Sequence, residues 1–245
     1  MTLTASRTLS TKHRIVEGTL IVDLGARLRV LSSAPRGGGL RTTRYILNHQ
    51  VTSVGRTSQP WGDPSLYLRK LAGSLGVDVD CVALMTAVPM TQVVVSRAMA
   101  GGIWVECLAT VGVTNAVCAG EVPAPEVRNA GSHTTGTINL IVITNACLAA
   151  PALVGAVQVA TESKTGTLRD HAVPSWTGSP NATGTGTDAV VMACALKGHG
   201  PWQAYAGTHT MVGAMIGQVT ADCLTQGLVR AAQWMSSASS AGSSV

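Results

Sequence analysis

The sequence predicts an α/β chain with α+β character: a single domain in which a mixed β-sheet is covered by helices in a layered sandwich. Three observations lead there. Hydrophobic residues make up 46% and charged residues 12%, a balance that calls for elements buried on both faces. Two runs, Thr135 to Asn145 and Thr187 to Leu196, are apolar on both alternating sets, as central strands covered on two sides are. Two segments, 151–169 and 208–234, instead repeat their apolar residues at helical spacing. At 245 residues the chain can bury a substantial core. Without Phe, and with 3% aromatic residues, that core is built from Val, Leu, Ile, Ala and Met.

Taken in order, Thr19 to Leu24 and Leu28 to Ser33 read as two short strands, with Gly25-Ala26-Arg27 turning between them. The second leads into the glycine cluster Gly37-Gly38-Gly39. Arg44 to Val51 is a third strand carrying Asn48 and His49, and a polar loop follows. Asp63 as N-cap and Pro64 at the first helical position start a helix that runs to about Leu75 and is closed by Gly76. Val82 to Ala87 reads as strand, 90–99 is ambiguous with helix preferred, and Gly102 to Val113 is a long strand. Gly120 to Thr135, rich in Pro, Gly and Asn, is loop. After the strand 135–145, Pro151 opens a helix to about Arg169. Gly178 to Gly186 is a loop before the strand 187–196. Val212, Ile216, Val219 and Cys223 form the stripe of a last helix that ends near Trp234. The domain is expected over 13–235, between disordered ends at 1–12 and in the Ser/Gly/Ala tail 236–245.

Several function classes recede on composition. The net charge is +5, but the 17 basic residues are scattered without a stripe or aromatic interleaving, so no nucleic-acid surface is expected. The six cysteines show no CxxC pair and no zinc spacing, and they read as buried thiols with no metal site. Met1 to Ser10 has no apolar signal region, and the expected location is cytoplasmic. Ile138 to Ala160 passes a length test for a membrane span. Asn139, Thr144, Asn145, Pro151 and Gln158 interrupt it, and strand followed by helix is the better account.

Chemistry concentrates between 136 and 190. Lys164 falls on the buried stripe of its helix with Leu153, Val157, Ala160, Thr161 and Leu168. There it either snorkels past the helix end or points into a pocket. Glu162 lies on a different face, roughly with Arg169. In Thr183-Gly184-Thr185-Gly186-Thr187-Asp188, alternating glycines let backbone N–H groups converge on an anion or oxyanion, and Asp188 sits where loop becomes strand. The stretch is not a P-loop, since it has no GKS or GKT and leads into a strand. Asn115, Asn139 and Asn145 lie at or inside strands, as satisfied core amides or as ligand contacts.

At these residues the chain resembles the adenosylcobinamide amidohydrolase family of corrinoid salvage enzymes. The matching stretches are Ser32-Ser33-Ala34 with its glycine cluster, Gly112-Val113-Thr114-Asn115-Ala116, Ala119-Gly120 and Gly136-Thr137-Ile138-Asn139. Thr161-Glu162-Ser163-Lys164-Thr165, Ala182 to Asp188 and Tyr205-Ala206-Gly207 complete the set, which spans about 15 to 230. Ser163 and Leu140 stand where the family commonly has Ala and Ile, and Asn48-His49-Gln50-Val51 matches approximately. The resemblance implies hydrolysis of the amide between a corrin propionate and aminopropanol, giving adenosylcobyric acid. The partner is then an adenosylcobinamide-type corrinoid. No cofactor is expected beyond the cobalt that enters with the substrate, and a homo-oligomer is compatible with this.

Chemistry assigns Asp188 or Glu162 to water activation, Lys164 to charge stabilisation or proton donation, and the 183–187 backbone with Asn139 to the oxyanion or amide. Substrate contacts are expected from Thr183, Gly184, Thr185, Gly186, Thr187, Asn139, Asn115, Ser32, Ser33 and Asn48. A corrinoid carrier or sensor without hydrolysis is the alternative. A nucleotide-dependent transferase is weaker, for want of a P-loop lysine.

Overall fold

In the computed structural model the described residues are 11–51, 62–78, 80–121 and 136–242, with the backbone alone from 235 onward. Parts of the expected loops at 52–61 and 122–135, and the first ten and last three residues, lie outside them.

Strand β1 (Lys12–Val16) turns through Glu17 and Gly18, both at positive φ, into β2 (Thr19–Ser32). The sequence reading missed β1 because Lys12-His13-Arg14 is charged. The strand is an exposed edge, where charge is favoured. β2 is one strand rather than the two expected. Asp23 pairs with Tyr45 and Leu28 with Thr43 of β3 (Gly39–Gln50), so Gly25-Ala26-Arg27 belongs to a bulge and not to a turn. Both halves of β2 hold the same neighbour, and the extra residues bend the strand. Helix α1 (Pro64–Ser74) begins as expected, with Asp63 Oδ1 accepting from Ser65 N at 2.8 Å. β4 (Val82–Thr86) follows and pairs parallel with β3.

At 90–99 the helical preference gives way. After one 3₁₀ turn at Met90–Gln92 the chain forms β5 (Val94–Ala100), antiparallel to β6 (Ile103–Val111). Cross-strand pairing with a wholly buried β6 overrides the local pattern. The short β7 (Ala116–Val117) precedes β8 (Ile138–Thr144), every residue of which is buried. β9 (Cys147–Leu148) leads into α2 (Ala150–Asp170), whose buried side includes Leu153, Ala156, Ala160, Lys164 and Leu168. β10 (Gly184–Thr185) pairs with β7. Next come β11 (Ala189–Cys194), β12 (Trp202–Gln203) and α3 (Met211–Gly242). The expected stripe of α3 at Val212, Ile216, Val219 and Cys223 is buried. The helix continues past Trp234, so the Ser/Gly/Ala segment is helical through Gly242.

The main sheet is mixed, in the order β4-β3-β2-β11-β8-β6-β5, with β1 alongside the first half of β2. Helices α2 and α3 cover Cys107, Ala109, Leu140, Val142 and Met192 on one face of β6, β8 and β11. On that same face of β2, β3 and β4, helix α1 covers Ile21, Leu47 and Ala83. The other face curls onto itself. Leu20, Val22, Ile46 and Leu84 from one half pack against Leu108, Ile141, Ile143 and Val191 from the other. The layers are therefore helix, sheet, sheet and helix, the two middle layers being one bent sheet. Among the described residues no helix is long and apolar enough to cross a membrane.

His49 lies under α1, with Nδ1 at 2.8 Å from Thr19 Oγ1 and Nε2 at 2.9 Å from Tyr67 Oη. Burial lowers its pKa from the ordinary imidazole value. Below about pH 6.5 the unfolded chain takes up a proton that the folded one resists, so stability falls as pH drops through that range. Urea unfolding at pH 7.5 and 5.5 should show a smaller acid-side loss for His49→Gln than for the wild type. Equal losses would remove His49 from the account.

Candidate functional site

Lys164 points inward from α2, and Asp188 closes the loop before β11. Their side chains, 8% and 12% exposed, form a buried ion pair. Asp188 is held on all sides. Oδ1 accepts from Ile138 N at 2.9 Å and from Thr185 Oγ1, and Oδ2 accepts from Thr185 N at 3.0 Å as well as from Lys164 Nζ. With both oxygens engaged, the carboxylate is an anchor for the ammonium and for the start of β8. Gly184 passes directly over the pair: a Cβ there would meet Asp188 Oδ2 and stand 2.6 Å from Lys164 Nζ. The glycine is required for this close approach.

The threonines of the loop bond to the protein. Thr183 Oγ1 accepts from Ala119 N at 2.8 Å, Thr185 is bound to Asp188, and Thr187 Oγ1 lies 2.7 Å from Thr137 Oγ1. Gly186 and Thr187 form its exposed tip. The loop rests on a second close crossing, where Gly136 passes Gly112. A Cβ on Gly136 would stand 2.6 Å from Thr114 N and 2.8 Å from Gly112 O, atoms of a backbone that cannot yield.

Behind Asp188, on the inner face of the bent sheet, lies a buried amide network. Asn139 of β8 donates through Nδ2 to Asn48 Oδ1 at 2.9 Å and to Met85 O at 2.8 Å. Asn48 of β3 donates to Thr110 Oγ1 of β6 at 3.0 Å. Both hydrogens of Asn139 Nδ2 are thereby used, which fixes the amide's orientation and leaves no N–H for an oxyanion. Among the described residues its Oδ1 is buried without a hydrogen-bond partner. Asn48 and Asn139 are each 1% exposed, and their amide groups bond to each other, to Thr110 and to Met85 O.

The remaining candidates are dispersed. Ser32 is buried, and its Oγ accepts from Ala34 N at 2.9 Å. Ser33 is exposed, and its Oγ accepts from Val190 N at 3.1 Å, which brings it to the strand that Asp188 introduces. Asn115 is half-buried in the turn before β7, and among the described residues its Oδ1 has no hydrogen-bond partner. Glu162 is exposed on the outer flank of α2, beside a shallow groove shared with Gln158, Thr161, Thr165 and Arg169. The structure does not gather it with Lys164 and Asp188, because two residues along a helix turn a side chain to the opposite side. Among the described residues no three His, Cys, Asp or Glu side chains assemble into a metal-holding group. Sequence reasoning missed Thr110, Thr137 and the Ile138 amide. Thr110 had a signal: with Glu106, it is a polar position in an otherwise apolar strand.

A family model described as adenosylcobinamide amidohydrolase matches residues 3–236. The chain belongs to that family. An adenosylcobinamide amidohydrolase of Methanosarcina mazei is 32% identical over 184 residues, covering 74% of this chain and 76% of the relative. An uncharacterised protein of Methanocaldococcus jannaschii is 27% identical over 232 residues, covering 86% of each. A β-aminopeptidase of Burkholderia sp. overlays with a TM-score of 0.41 at 14% identity, over 87% of this chain and 78% of that one, a likeness too loose to carry an argument. In this adenosylcobinamide amidohydrolase family member, the stretches beginning at Gly112, Gly136, Thr161 and Ala182 meet at one end of the bent sheet. Contacts among Gly112, Gly136, Ile138, Lys164 and Asp188 join them.

Proposed function

We propose that this protein hydrolyses the amide linking a corrin propionate to aminopropanol in adenosylcobinamide, yielding adenosylcobyric acid for cobalamin salvage. Family membership supports the substrate class. The observation that carries the chemistry is Lys164: a buried ammonium whose one hydrogen-bond partner among the described residues is Asp188. An ammonium has three N–H donors, so two remain for a substrate. Charge develops on the amide oxygen during attack, and a fixed cation in a dry site stabilises it. In this reading water attacks the carbonyl carbon and Lys164 holds the developing oxyanion; as the C–N bond breaks, Lys164 gives a proton to the departing amine nitrogen and regains one from the attacking water. Asp188, already accepting four hydrogen bonds, orients Lys164 rather than taking a proton from water. Glu162 stands outside the arrangement. Cobalt arrives with the substrate.

The test is to incubate purified protein with adenosylcobinamide, without nucleotide, and to follow adenosylcobyric acid and aminopropanol by mass spectrometry. Both products are expected in equal amounts. Tight binding without product would overturn hydrolysis in favour of a corrinoid carrier.

A further inference from the structure

We infer that Thr110, Asn48 and Asn139 act as a positioning relay for the Lys164–Asp188 pair, an inference that rests on the reading of that pair as the reaction centre. Asn139 follows Ile138, whose backbone N–H donates to Asp188 Oδ1 at 2.9 Å. The height of β8 at this residue therefore sets the carboxylate, and the carboxylate sets the ammonium. On the opposite face of β8, Asn139 is tied to β3 through Asn48 and to β4 through Met85 O. Three strands separate β8 from β4 in the sheet order. Asn48 is tied in turn to Thr110, and Thr110 is the register partner of Asn139 in β6. The hydrogen bonds and the register form a closed ring across the bent sheet, one residue away from the amide that holds Asp188.

Packing alone gives no reason for such a ring. Its members are 0–1% exposed and lie among Leu84, Leu108 and Ile141, where apolar side chains would fill the space with no buried polar groups to satisfy. Among the described residues Asn139 Oδ1 takes no hydrogen bond. The ring does fix where one end of the bent sheet closes. Lys164 and Asp188 stand on that end from the other side.

Thr110 is the cleanest probe, since it is fully buried and stands outside the Lys164–Asp188 pair. In Thr110→Val the hydroxyl is lost at nearly constant volume, while Thr110→Ser keeps it. With adenosylcobinamide as substrate, Thr110→Val is expected to lower kcat about tenfold, because small displacements of a catalytic group are expensive. KM should stay within about twofold, since substrate binding is untouched, and Thr110→Ser should recover kcat. Amide hydrogen exchange supplies a readout independent of turnover. Thr110→Val should accelerate exchange at Ile138 more than at Ile143, at the far end of β8, whereas general destabilisation would accelerate both alike. An unchanged kcat, a rise in KM alone, or equal acceleration at the two amides would overturn the relay. A wild-type protein inactive on adenosylcobinamide would instead sink the hydrolase reading and leave the exchange comparison to judge the relay.

Discussion

Lys164→Met is expected to reduce turnover by about 10²–10³-fold, the scale seen when a charge-stabilising donor is removed from an active site. It should also destabilise the protein by about 3–5 kcal/mol, because Asp188 would then be a buried charge without a counter-ion. The two effects can be separated. In Lys164→Met/Asp188→Asn the uncompensated charge is gone, so stability should return in part while turnover stays lost. Urea denaturation and kcat, measured on both variants, check this. A Lys164→Met protein with wild-type kcat would remove the ammonium from the mechanism, and one with wild-type stability would mean that the pair is not buried in solution.

Gly184→Ala should have the next largest effect, though it adds only a methyl group. The new Cβ would stand 2.6 Å from Lys164 Nζ and against Asp188 Oδ2, below contact distance to both. Asp188 cannot retreat, being fixed by Ile138 N and Thr185 N, so Lys164 must move. Overpacking of this kind costs about 1–3 kcal/mol, and a displaced ammonium should lower kcat about 10²-fold. Gly186→Ala is the comparison: among the described residues a Cβ there meets nothing within 4 Å, and its stability should stay near that of the wild type. Equal effects of the two substitutions would sink the explanation by close approach.

The sequence made much of this legible where information is local. Helical spacing placed Lys164 on the buried side of α2 because a charge on an apolar stripe is visible without tertiary knowledge. Two-sided apolar runs located β8 and β11 for the same reason. What escaped depended on distant partners. Asp188 meets Lys164 only because α2 packs back over β11, and nothing in either stretch announces four hydrogen bonds to one carboxylate. Asn48 and Asn139 were each visible as amides in strands, but their pairing crosses a bend that β2 makes at Gly25-Ala26-Arg27. Alternation reports which face a side chain takes. It does not report which faces later meet. The 90–99 segment shows the same limit, since its strand character comes from pairing with β6.

The bent sheet also dictates an order of assembly. Ser32 of β2 pairs with Val191 of β11, so the strand that unites the two halves waits for a partner from the far part of the chain. Closing a loop of that length is an entropic barrier that local contacts do not repay in advance, and folding dominated by such pairings is slow. During synthesis the second half of β2 would leave the ribosome long before β11 exists, presenting an unpaired edge beside its hairpin with β3. Neither half can then complete its core alone, and the chain becomes one cooperative unit only once the segment that carries Asp188 has been made.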